Sequence, residues 1–230
     1  MLDPYDPDAR RRGTLLISNS PFGGVDTYVE AYRNMVKYEL DPIALSAAIQ
    51  ALARHGTPGD APLIAGKLSN ESEQVRWEAA KGLQRLHNPV IVPELLRTLR
   101  NEDEATEVRV SAGIALGQYP QDRVFQGLVG ALTARELSIN VAAAESLEML
   151  TGQAWGIDAM AWYEWYNGAE FSGSAFVDQQ DFVFPTYQRD VTVFEKMVFW
   201  NPKRFEEPAH PAGLLPDDTR STYVDTGDAQ

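Results

Sequence analysis

The stretch Gln74-Val75-Arg76-Trp77-Glu78-Ala79-Ala80-Lys81-Gly82-Leu83-Gln84-Arg85-Leu86 decides the fold. Val75, Ala79, Leu83 and Leu86 fall at i, i+4, i+8 and i+11, one apolar stripe of a helix. Gln74, Glu78, Lys81 and Arg85 take the polar side. The pattern recurs along the chain. Ala48, Ala79, Ala112 and Ala143 are separated by 31, 33 and 31 residues, and Leu52, Leu83, Leu116 and Leu147 repeat with the same spacings. Self-similarity at a period of about 30 residues marks a solenoid of stacked helical units.

Working outward, each unit reads as a helix pair. Asp26 caps a helix over 27–39, and Asp41-Pro42 opens a second one through Leu45, Ala48, Ile49 and Leu52, ending at His55-Gly56. The second unit starts at Pro58, contains the stretch above and stops at His87-Asn88-Pro89. The third pairs 91–99 with 107–119, and the fourth pairs 123–132 with 137–150, closing at Thr151-Gly152. Ala79-Ala80, Ala112 and Ala142-Ala143-Ala144 let neighbouring helix backbones approach closely, so they read as packing residues.

The flanks have another character. Residues 1–24 read as an irregular lead-in, broken by Asp3-Pro4, Asp6-Pro7 and Pro21-Phe22-Gly23-Gly24; Arg10-Arg11-Arg12 reads as a solvated run pairing with acidic neighbours rather than a recognition patch. After the fourth unit, Trp155, Trp162, Tyr163, Trp165 and Tyr166 crowd together behind Asp158, a helix cap. A terminal repeat must cover its exposed apolar face, and a bulky aromatic helix does so; a ligand pocket or a partner contact is the other reading. Residues 168–230 lose the period. Their aromatics, Phe194, Phe199 and Trp200 among them, are spread between prolines. The stretch from about Phe176 to Phe205 is expected to lie along a surface, its own solenoid or a partner's. From Pro208 onward, Leu214-Leu215 aside, disorder is expected.

The expected fold is therefore all-α: a right-handed α-solenoid of about four helix pairs over 25–167, an irregular lead-in over 1–24, an aromatic capping helix and an extended arm over 168–230. The repeats resemble HEAT-like repeats, in the short form also seen in phycobilin-lyase-type proteins. The residues that carry the resemblance are Val75-Arg76-Trp77-Glu78-Ala79-Ala80 with Leu83, and Val108-Arg109-Val110-Ser111-Ala112 with Leu116-Gly117. It implies that Arg76 and Arg109 pair with acidic residues of adjoining helices. Leu45 and Asn140 stand where units one and four would have Arg, so that ladder is expected to be incomplete at both ends. The Thr151-Gly152 ending with its Asp-x-x-x-Trp helix is similar, more weakly, to HEAT-repeat lipoproteins of bacterial envelopes.

Composition removes several classes of function. A net charge of −13 opposes nucleic acid and anionic membranes, whose recognition needs Lys and Arg. With no cysteine there is no disulfide, thiolate metal site or thiol nucleophile. No run of about 18 apolar residues is present, and Met1–Tyr5 lacks the basic and apolar regions of an export signal. The chain as it stands reads as cytoplasmic, or as an envelope protein if a signal and lipid anchor preceded it. No catalytic, metal or cofactor motif is found. His55 and His87 each end a repeat helix, where a cation suits the dipole, and His210 sits in a proline-rich tail.

The expectation is a non-enzymatic interaction scaffold that binds another protein or its own subunits. Arg54, Lys81 and Arg85 fall near one another on the concave second-helix face when the repeats are superposed, with Glu145 and Glu148 at the far end. These three, together with Trp162, Trp165, Phe194, Phe199 and Trp200, are the candidate protein-binding residues. The alternative is a lyase or chaperone for a tetrapyrrole-type ligand, with its pocket in the aromatic cluster 155–166.

Overall fold

The computed structural model describes residues 6–168, 175–177 and 210–214. Among them the chain is helical, with one isolated bridge pair and no strand. The helices are α1 (Pro7–Ser18), α2 (Asp26–Tyr38), α3 (Pro42–His55), α4 (Ala61–Ala65), α5 (Glu73–Gly82), α6 (Val92–Arg100), α7 (Thr106–Leu116), α8 (Asp122–Ala131), α9 (Leu137–Thr151) and α10 (Ala159–Gly168). Their starts follow the sequence signals. Asp41 accepts from the amides of Ile43 and Ala44 with Pro42 in the first turn, and α9 closes on Gly152 in the left-handed region at φ 70°. The short α4, with Pro62 in its first turn, lies between 3-10 turns at Pro58–Asp60 and Gly66–Ser69.

The helices stack in two layers. One runs α1, α3, α5, α7, α9; the other contains α2, α4, α6, α8 and α10, with α4 meeting α6 through the 3-10 turn Pro89–Ile91. The fold is an all-α solenoid. One apolar core runs its length, from Val29 and Tyr32 through the repeated Ala48, Ala79, Ala112 and Ala143 to Trp162. No unit could bury its own apolar face, so the units are stable only as a stack.

The N-terminal segment departs from expectation. Residues 7–18 form α1, not an irregular lead-in, because Asp6 caps the helix through the Asp8 amide and Pro7 opens it. α1 packs on α3 and so extends the second-helix layer by half a unit. Arg10, Gly13 and Ile17 hold the same helical positions in α1 as Arg76, Ala79 and Leu83 do in α5. At the other end α10 packs on α8 and extends the first-helix layer. Each end of the array is thus closed by a single helix, and the two lie in opposite layers.

Two further extents differ. α5 stops at Gly82 instead of running to Leu86. There the backbone turns away: the Arg85 carbonyl and the His87 amide pair with Ala212, each at 2.8 Å, in a parallel bridge of Leu86 with Ala212. Residues 210–213 are therefore docked, contrary to the disorder expected beyond Pro208, from which Leu214 is excepted. Leu214 is 3% exposed within the core, and Gly213 takes φ 92° with Pro58 2.6 Å from where a β-carbon would stand. Nearer the solenoid's end, the Val177 amide donates to the Leu150 carbonyl at 3.0 Å.

Candidate functional site

A ladder of ion pairs crosses the units. Arg76, the fourth residue of α5, reaches Glu104 just before α7 at 2.8 and 2.9 Å. Its Nη1 also donates to the carbonyls of Asn70 and Glu71 in its own unit. Arg109, at the same place in α7, is buried; it donates to the Leu99 carbonyl at 3.1 Å and meets Glu136, ahead of α9, at 3.5 Å. Each Arg therefore closes its own unit and clamps the next one.

The ladder reaches further towards the N-terminus than the repeats alone suggest. Arg10, fourth in α1, pairs with Glu39 ahead of α3 at 2.7 Å. The Arg10 bond, together with the amides of Asp41 and Leu40, holds the Glu39 carboxylate below its ordinary range against the opposing effect of burial. At Leu45 the rung is missing, and the other layer carries the link instead: Arg33 of α2 pairs with Asp60 at 2.7 Å. At Asn140 only half of the function remains. Its side-chain amide donates to the carbonyls of Ala131, Leu132 and Ala134, closing the fourth unit with no cross-unit ion pair among the described residues.

The sequence-predicted cations do converge. Arg54, Lys81 and Arg85 line one depression of about 100 Å3 in the second-helix layer, together with the end of α1 at Leu15, Ser18 and Asn19. Arg54 donates to Asn19 at 2.6 Å, and the Lys81 ammonium sits 4.9 Å over the Trp77 ring. Between them stands Glu78, whose pKa is raised by burial against the opposing pull of Lys81. Sequence reading placed Glu78 on the polar side of its helix; only the stacking of α1 and α3 against α5 encloses it.

A larger cleft of about 890 Å3 was not anticipated from the sequence. It is lined by Arg76, Arg97, Arg100 and Arg123 with Glu104, over Leu68, Pro93 and Leu96. Arg97 and Arg100 lie at i, i+3 near the end of α6, a local signal, but Arg76 and Arg123 reach them only through stacking. Among the described residues, no group of three His, Asp or Glu side chains is placed to hold a metal ion. No described helix is long and apolar enough to cross a membrane.

A family model of HEAT repeats matches residues 61–148. These are HEAT-like repeats. Matching the sequence against curated proteins gives no hit. Among solved structures, this HEAT-like repeat protein is similar to human deoxyhypusine hydroxylase in complex with glycerol, at a TM-score of 0.47 and 20% identity. The match covers 74% of this chain and 56% of that one, so the chain spans little more than half of that protein's length. The expectation that this chain is not an enzyme is withdrawn. HEAT-like architecture gives no ground for excluding a reaction, and the fold by itself names none.

The other predicted site residues divide. Trp162 is fully buried: Phe125 of α8 meets its ring edge-on, and its Nε1 donates to the Gly156 carbonyl at 2.8 Å. It is a core residue of the cap, not a contact for a partner. Trp165 is half-buried against Phe125 and Trp162, while Tyr166 stacks on Phe125 at 4.2 Å. Within the cluster expected as a tetrapyrrole pocket, Trp162, Trp165 and Tyr166 therefore pack on one another and on Phe125, while Trp155 and Tyr163 are exposed. Phe194, Phe199 and Trp200 lie outside the described residues. The histidines are packed: His55 bonds the Ser18 carbonyl at 2.7 Å, and His87 stacks on Tyr119 at 4.8 Å.

Proposed function

We propose that this HEAT-like repeat protein is an interaction scaffold that binds a partner protein through the second-helix layer around Arg54, Lys81 and Arg85. The observation that supports this reading is their convergence, from two units, on one depression with the half-buried Glu78. A repeat array offers a contact face longer than any single helix, and mixed charges on it fix a partner's register more than its affinity. The C-terminal arm, residues 168–230, is the second contact in this reading.

The experiment is capture from native extract by the full chain, set against a Lys81→Glu, Arg54→Ala variant with unchanged circular dichroism. Loss of specific partners from the variant supports the reading. Identical partner sets from both would move the contact face elsewhere.

A further inference from the structure

We propose that the cleft between α6 and the start of α8 binds a carboxylate-rich, extended segment of a partner protein. This goes beyond the second-helix face, because the cleft lies on the first-helix side, between α4's trailing turn, α6 and α8. Its lining carries four arginines and one glutamate, a local charge of +3 (4 − 1) in a chain of net charge −13.

Arg76 spends its fork on Glu104, which leaves three cations. The side chains of Arg97 and Arg100 make no hydrogen bond or ion pair with another described residue, and the Arg123 side chain uses only Nε, on Gln121 at 2.7 Å. Arg100 lies along α8 where Gly127 leaves room: its Nη2 is 3.4 Å from where a β-carbon would stand. Three guanidiniums gathered without a paired carboxylate among the described residues repel one another, and an anion with several carboxylates relieves that repulsion through paired, charge-assisted bonds.

The dimensions choose the occupant. A cleft of about 890 Å3 drawn from three successive units is far wider than one small anion needs. A nucleic acid is also disfavoured, since its backbone would run on from the cleft over an acidic surface. A short acidic peptide ends where the positive lining ends.

The test is fluorescence anisotropy of a fluorescein-labelled hexaglutamate peptide titrated with the full chain at low salt. Saturable binding that weakens with salt is expected, about 10-fold or more weaker in Arg97→Gln, Arg100→Gln, as loss of two charge-assisted bonds implies. The control Lys37→Gln, exposed on α2, is expected to leave binding unchanged. Arg123→Gln provides a second variant should the first melt early. No binding, an equal loss in the control, displacement by inorganic phosphate at matched concentration, or equally tight binding of a DNA oligomer each overturns the proposal.

Discussion

Arg10 donates to Glu39 through Nε at 2.7 Å and Nη2 at 3.0 Å, repeating at the edge of the molecule the bond that Arg76 makes to Glu104 at its centre. The repetition shows that α1 is half a repeat, seated by the same clamp as the internal units. Replacing either partner should loosen α1 first. Arg10→Met and Glu39→Gln are each expected to lower the melting temperature, and the double variant to lose little more than the worse single one. Thermal melts of all four chains measure that coupling; additive losses would mean that the pair does not act as a unit.

Arg109 and Asn140 hold the same position in successive units but face different demands. Asn140→Leu removes the side-chain donor shared by the carbonyls of residues 131, 132 and 134, of which that of Ala131 keeps a second donor, the Ala134 amide. A loss of about 2–3 kcal/mol in chemical unfolding is expected. Arg109→Leu should cost a comparable amount, mainly through the Leu99 carbonyl, since Glu136 at 3.5 Å is exposed enough to return to water. If Arg109→Leu were neutral, the clamp would be ornamental.

Burial lowers the pKa of His87 below its ordinary 6.5, against the opposing effect of a hydrogen bond with Gln118. The unfolded chain then binds a proton more readily than the folded one, so stability rises with pH across that interval. The contribution is complete above about pH 7 and declines as pH falls through 6.5 towards the folded value. Glu39 and Asp60, also lowered, add a second decline below their ordinary values of 4.5 and 3.8. Urea midpoints from pH 8 to pH 3 should fall in two stages, and His87→Phe, which keeps the stack on Tyr119, should abolish the first.

Glu78 has the opposite sign. Its pKa is raised by burial, so its contribution is favourable at low pH and is lost as pH rises through the folded value. Glu78→Gln is therefore expected to raise the melting temperature at pH 7, by up to about 3 °C, and to change little at pH 4. An unchanged or lower melting temperature at pH 7 would show that the carboxylate is held by attraction to Lys81 more than it is penalised by burial.

The docked segment 210–214 has a direct reporter, because the His87 amide is bonded to the Ala212 carbonyl. Gly213→Ala places a β-carbon against Pro58 at a positive φ that other residues rarely adopt. Exchange of the His87 amide should accelerate at least about 10-fold, as a loss of about 1.4 kcal/mol in local opening implies. Exchange at Ala79, deep in α5, should not change. Equal acceleration at both would mean that the segment secures the whole array.

By itself the sequence determined the repeat. Ala79 and Leu83 with their counterparts carry a period, and the period alone requires stacked helix pairs, because helical amphipathicity is a local property of the chain. It also put Arg54, Lys81 and Arg85 together, since residues in register across repeats meet in any solenoid. The same register runs through Arg10, Gly13 and Ile17, but one Gly in place of Ala and turn-forming prolines on either side hid α1 among irregular residues. Tertiary structure decided the rest. The partial burial of Glu78, the gathering of Arg76 and Arg123 with Arg97 and Arg100, the enclosure of Trp162 by Phe125 and the pairing of Ala212 with Leu86 all join residues with no periodic relation. Only packed neighbours set a side chain's exposure and its electric field, so these features become visible once the layers have closed.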